Sequence, residues 1–143
     1  HRCYEVLTSS PETKLLLSEA TGHSITEEQA DVIAASHYAL QLWLQKNLCA
    51  SDFTSEVPFS VMASDDSVCT GLIDLLVETP DGFWVIDHKT DRATKEGTIF
   101  ANYWPQLLAY QEALLELGQD VAGVGLNLVN DGKLLLSRLS DNP

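Results

Sequence analysis

The sequence predicts an α/β fold in which helices pack on a mixed central β-sheet. Three observations lead there. Trp84-Val85-Ile86 is an uninterrupted apolar run, the pattern of a strand covered on both faces. Thr79-Pro80-Asp81-Gly82 and Asn130-Asp131-Gly132 are turn signals of the kind that join strands into hairpins. Apolar residues at helical spacing run from 27 to 47 and again from 103 to 117, before and between the strands.

The elements follow in order. Residues 1–9 read as the end of a helix, and Pro11-Glu12 opens a second one through Ala20, stopped by Thr21-Gly22. Thr26 with Gln29 forms a capping-box pattern at the head of the longest helix, 27–47, whose apolar positions are Val32, Ile33, Leu40, Trp43 and Leu44. A strand at 56–63 meets a second at 68–78 through the polar turn Ser64-Asp65-Asp66-Ser67. A third strand, 83–89, is followed by a polar stretch, 90–98. The helix at 103–117 begins just before Pro105, which a helix tolerates best in its first turn, and ends at Gly118. Strands 121–129 and 133–139 close the pattern. No repeat, low-complexity tract or linker interrupts it, so residues 1–143 are expected to form a single domain. The first residue is His1 rather than Met, which suggests a piece of a longer chain.

Composition narrows the function. The 21 acidic and 8 basic residues leave a net charge of −13, which argues against a domain that grips nucleic acid by bulk charge but does not exclude nucleic acid as a substrate. Lys89, Arg92 and Lys95 concentrate basic charge within seven positions, where an anion contact would centre. No apolar run approaches the ~20 residues that span a bilayer, so no membrane association is expected. Cys3, Cys49 and Cys69 are odd in number and lack any C-x-x-C pair, so neither a zinc ribbon nor an iron–sulfur cluster is expected. They read as reduced thiols of a cytoplasmic protein, with Cys49 and Cys69 in packing roles.

The hairpin around Pro80 brings charge together. If Glu78 pairs with Phe83, Asp74 faces Asp87, and Lys89, two residues on, shares the face of Asp87. A bulge at Gly82 would shift this register by one. Facing carboxylates repel and weaken a sheet. Lys89 offsets one of the two charges, whereas a divalent cation offsets both and can polarise a water for attack on a phosphate. The plainer reading is a buried Asp–Lys pair beside an exposed Asp, and buried ions of that kind stabilise little. His23 and His37 read as surface or packing histidines, and Trp43 and Trp104 as core rather than base-stacking rings. Tyr110 has a similar plain reading, a core-edge tyrosine with a bonded hydroxyl.

The ordered set Gly71-Leu72-Ile73-Asp74, Asp87-His88-Lys89-Thr90-Asp91 and Gln106-Leu107-Leu108-Ala109-Tyr110 resembles the successive motifs of PD-(D/E)XK nucleases. The likeness is strongest to the RecB-like nuclease domain of the helicase–nuclease subunits RecB and AddA, and covers residues 54 to 117 best. Ile73 stands where the first motif has Pro, and no helicase motif is present. The resemblance implies a restriction-endonuclease-like core. It implies Asp74, Asp87 and Lys89 as catalytic residues, with a Mg²⁺ ion (Mn²⁺ as substitute) held by Asp74, Asp87, the backbone carbonyl of His88 and His1. Gln106 and Tyr110 would support the site and contact DNA, and Glu56 would contribute through water. The implied activity is hydrolysis of DNA phosphodiesters, as an exonuclease on single strands released by an attached helicase during break repair and recombination. The implied partners are the helicase portion of the same chain and a second subunit. The alternative is a catalytically inactive nuclease-like scaffold or DNA guide.

Overall fold

A computed structural model describes residues 24–62, 66–90 and 96–139. The two helices expected before Gly22 lie outside the described residues, as do His1, Cys3, His23, Asp91, Arg92 and Lys95. The described elements are α1 (Glu27–Leu48), β1 (Asp52–Met62), β2 (Val68–Thr79), β3 (Gly82–Lys89), α2 (Glu96–Glu116), β4 (Val121–Leu128) and β5 (Lys133–Arg138). The five strands form one sheet in the order β1-β2-β3-β4-β5. Only β3 and β4 are parallel, and α2 is the crossover that parallel neighbours require.

The central strand shows how the two layers form. Trp84 through His88 are all buried. Val85 belongs to a cluster with Ile99, Leu107, Tyr110, Ala113 and Leu114 of α2. Its neighbours Trp84 and Ile86 belong to a second cluster with Leu40 and Leu44 of α1. Alternation along the strand therefore places α2 on one face of the sheet and α1 on the other. Helix α1 starts at the Thr26–Gln29 capping box, in which each residue's side chain bonds the other's backbone N–H, at 3.2 and 2.9 Å.

Several expectations change. Helix α2 begins at Glu96, seven residues before the sequence places it, so Pro105 sits in its interior. Proline deletes the bond its N–H would make to residue 101. Pro105 and Ala101 both face solvent, where water can satisfy the freed carbonyl, so the cost falls on the least sensitive side. Strand β1 starts at Asp52 rather than Glu56, because Asp52 to Ser55 pair with β2 although three of the four are polar. Cys49 and Cys69 are exposed rather than packed. Cys49 ends α1 in the left-handed conformation, and Cys69 lies near the β1–β2 turn, where Val68, Thr70 and Met62 are also exposed. On α1, Val32 and Trp43 point outward, and the buried face is Ala30, His37, Leu40 and Leu44. Burial lowers the His37 pKa, which favours a neutral packing imidazole.

Strand β1 also switches faces along its length. Phe53 packs with the α1 cluster, whereas Val57 and Phe59 pack with the α2 cluster, although all are odd-numbered. The switch brackets Glu56, whose φ of +52° is rare for a residue with a Cβ. Gly71 has a related structural use. A Cβ there would overlap the Phe59 ring, so only glycine lets that ring lie across the strand. Phe59 then meets Tyr110 edge-on, with centroids 5.6 Å apart and planes at 81°.

Candidate active site at the end of the central strand

The β2–β3 hairpin closes through the two-residue loop Pro80-Asp81, with Thr79 paired to Gly82. Thr79 Oγ1 donates to the Gly82 carbonyl at 2.6 Å and secures the turn. No register slip occurs at Gly82, and the ladder continues through Glu78↔Phe83 to Leu75↔Ile86. Asp74 and Asp87 are the next residues on each strand. There the ladder stops, and the Asp74 side chain takes over: Oδ2 accepts the His88 backbone N–H at 2.8 Å. Strand β1 pairs Ser55 with Leu75 and Val57 with Ile73, which leaves Glu56 opposite Asp74. Glu56, Asp74 and Asp87 thus form a row across three strands. Glu56 is exposed and off the ladder, while Asp74 and Asp87 are 8% and 1% exposed.

Asp87 and Lys89 lie on the α2 face, as Val85 does. Lys89 Nζ is 2.6 Å from Asp87 Oδ2. At this buried oxygen Lys89 is the ion-pair partner. Burial, and secondarily the Asp74 charge, push the Asp87 carboxyl from 3.8 up to about 6, against the opposing pull of Lys89.

Helix α2 supports this cluster from above. Lys89 Nζ donates to Gln106 Oε1 at 3.2 Å, and Gln106 Nε2 donates to the Tyr110 hydroxyl at 2.5 Å. The two helix residues are four apart, so they stack on one face. Burial, and then the Asp87 charge, raise the Tyr110 pKa, so the hydroxyl remains protonated at neutral pH. Tyr103 places its ring 4.3 Å from Lys89 Nζ. The sequence reading gave Tyr103 no role, although its position three residues before Gln106 puts it on the same helix face. The His88 side chain points away from this cluster. It lies on the α1 face, where its Nδ1 is 3.0 Å from Asn127 Nδ2.

Whether these residues suit a metal ion can be judged from the donors. Among the described residues no group of three or more His, Cys, Asp or Glu side chains is arranged to hold one. What is present is a buried carboxylate pair, one oxygen of which lacks a directed hydrogen bond. An all-oxygen set suits a hard dication such as Mg²⁺, which keeps several waters and needs few protein ligands. Trp104 is partly buried against the α2 cluster, and Trp43, expected in the core, is 44% exposed.

The chain matches the family model of the PD-(D/E)XK nuclease superfamily over residues 3–142. It belongs to that superfamily. No match is found among curated proteins. The five-stranded mixed sheet between two helices is the α/β, restriction-endonuclease-like fold expected of a PD-(D/E)XK protein. Membership points to a nuclease, a hydrolase of phosphodiesters with nucleic acid as its substrate. Among the described residues, no helix is long and apolar enough to cross a membrane.

The carboxylate pair has a cost that can be measured. Asp87 binds its proton more tightly in the fold than in the unfolded chain, so in chelator-treated protein stability falls as pH rises from about 4 to about 6. Asp87→Asn imitates the neutral form. It is expected to stabilise the metal-free protein at pH 7 by up to about 3 kcal/mol, and to lose that gain below about pH 4. Urea denaturation across this pH range checks it, and an Asp87→Asn protein less stable than the parent at pH 7 would contradict it.

Proposed function

We propose that this protein is a divalent-metal-dependent deoxyribonuclease whose site is Asp74, Asp87 and Lys89. The carrying observation is the buried Asp74–Asp87 pair with Lys89 Nζ 2.6 Å from one carboxylate oxygen. Asp74 has a structural use in accepting the His88 N–H, but a second buried acid beside it and an ammonium at 2.6 Å stabilise a fold little.

Asp74 and Asp87 would hold the ion, with the His88 carbonyl as a third donor. In an extended strand a residue's N–H and C=O leave on the same side. The His88 N–H goes to Asp74, so its carbonyl faces the same gap. When bound, a dication supplies charge for the phosphate oxygens and lowers the pKa of water. Lys89 holds a fixed positive charge where negative charge grows on the phosphate under attack. Gln106 anchors the ammonium through its Oε1, and Tyr110 orients the Gln106 amide. The Tyr103 ring fixes the ammonium from another side. Asp74 also locks the backbone at His88, between the acid and the amine of the D-x-K motif.

The finer reading is a RecB- or AddA-like domain: an exonuclease on single-stranded DNA delivered by an attached helicase, with a second subunit, in recombinational repair in the cytoplasm. The ordered motifs support it. So does a charge of −13, which suits a domain that receives DNA gripped elsewhere. His1 and Glu56 remain proposed contributors, His1 as an added ligand and Glu56 through water.

The test uses end-labelled linear and covalently closed circular single-stranded DNA, with Mg²⁺, Mn²⁺ or chelator. Cleavage of the linear strand alone, abolished by chelator, is the expected result. Cleavage of circles would replace the exonuclease by an endonuclease. Absence of both cleavage and calorimetric divalent-ion binding would overturn the assignment.

A further inference from the structure

An open groove of about 550 Å³ runs between the N-terminal half of α2 and strand β5. Its described lining is Gly97, Phe100, Ala101, Trp104, Leu136 and Ser137. Phe100 and Trp104 lie one helical turn apart, with ring centroids 5.6 Å apart and planes tilted by 37°. Both rings back onto the α2 cluster yet remain partly exposed. Trp104 directly follows Tyr103, whose ring contacts Lys89, so one helix turn joins the groove to the carboxylate cluster.

We propose that this groove seats a nucleobase of the substrate strand, stacked on Trp104 with Phe100 behind it, while a neighbouring phosphate lies at Asp74, Asp87 and Lys89. The inference rests on the nuclease reading and adds a residue that sets how the strand is held. A base is flat and apolar on both faces, which matches an open cleft lined by two aromatic rings. Stacking depends little on base identity, because every base has a π-face, and so suits an enzyme that degrades any sequence. It also supplies affinity that this domain cannot draw from bulk positive charge.

The experiment measures binding of a short single-stranded oligonucleotide by fluorescence anisotropy, using the whole chain carrying Asp87→Asn so that the strand stays intact. One abasic site is moved along the oligonucleotide. In this parent, an abasic site at one position is expected to weaken binding by roughly 5- to 150-fold. Trp104→Leu, which keeps apolar bulk but removes the ring system, is expected to cause a similar loss with the intact oligonucleotide. The abasic site should then cost that variant little more, because both changes delete the same contact. Trp104→Phe should recover most of the affinity. Thermal melting of each variant, within a few degrees of the parent, excludes unfolding as the cause.

An equal abasic penalty in the parent and in Trp104→Leu would overturn the inference, as would indifference of the parent to abasic sites at every position. The latter outcome would leave the groove to an apolar protein partner. No detectable binding of any oligonucleotide would overturn it as well. The nuclease reading fails separately, if the unsubstituted chain neither cleaves DNA nor binds a divalent ion.

Discussion

Asp87→Ala is expected to lower divalent-dependent cleavage by on the order of a thousandfold, or about 4 kcal/mol of transition-state stabilisation, without loss of folding. Asp87 makes no directed hydrogen bond through Oδ2, and its burial disfavours the charged form. Removing it takes away a proposed ligand and a burden together. Asp74→Ala is expected to cost as much activity for a different reason, and to cost stability as well. Its Oδ2 accepts the His88 N–H at a buried position, so truncation leaves that donor unsatisfied, a penalty of about 1–3 kcal/mol. The pair of substitutions therefore separates in a melting experiment while agreeing in a cleavage assay. Cleavage within tenfold of the parent in Asp87→Ala would remove the proposed mechanism. A stable Asp74→Ala protein would mean that the Asp74–His88 bond does not support the fold.

That contrast shows what could be read from the amino-acid order and what could not. The turn residues Pro80 and Gly82 set the register, and the register places Asp74 next to Asp87. Spacing of two puts Lys89 on the same face, and spacing of four stacks Gln106 with Tyr110. These are local relations, carried by strand and helix periods. The His88 N–H bond to Asp74 was not legible, because it arises only where the two strands stop pairing. Nor was the length of α2. Pro105 reads as a helix start, and only the solvent exposure of Pro105 and Ala101 explains why the helix tolerates it internally. Val32 and Trp43 misled for a similar reason: apolar residues at helical spacing fill more than one face of α1, and the sheet covers only the face of His37, Leu40 and Leu44. The outward face of Trp104 depends on where β5 lies, which no local pattern encodes.

Lys89→Ala should reduce cleavage by roughly 10²- to 10³-fold and also move its pH dependence. The two effects have separate origins. In the proposed mechanism, loss of the ammonium removes the positive charge that faces the phosphate. It also removes from Asp87 the one described neighbour that pulls its pKa down, against burial and the Asp74 charge. The carboxyl then rises above its parent value of about 6, and its proton competes with a divalent ion over a wider range. In the parent, ion binding should weaken as pH falls through about 6; in Lys89→Ala the same limb should lie at higher pH. Isothermal titration with Mg²⁺ at several pH values reads this without reference to cleavage. Lys89→Arg keeps the charge and should hold the limb near its parent position. It should still cleave poorly, because a planar guanidinium cannot repeat the compact contact of Nζ with Asp87, Gln106 and the Tyr103 ring. An unmoved limb in Lys89→Ala would mean that Lys89 and Asp87 do not share one electrostatic site. Full cleavage by Lys89→Arg would mean that charge alone, rather than its placement by α2, is what the reaction needs.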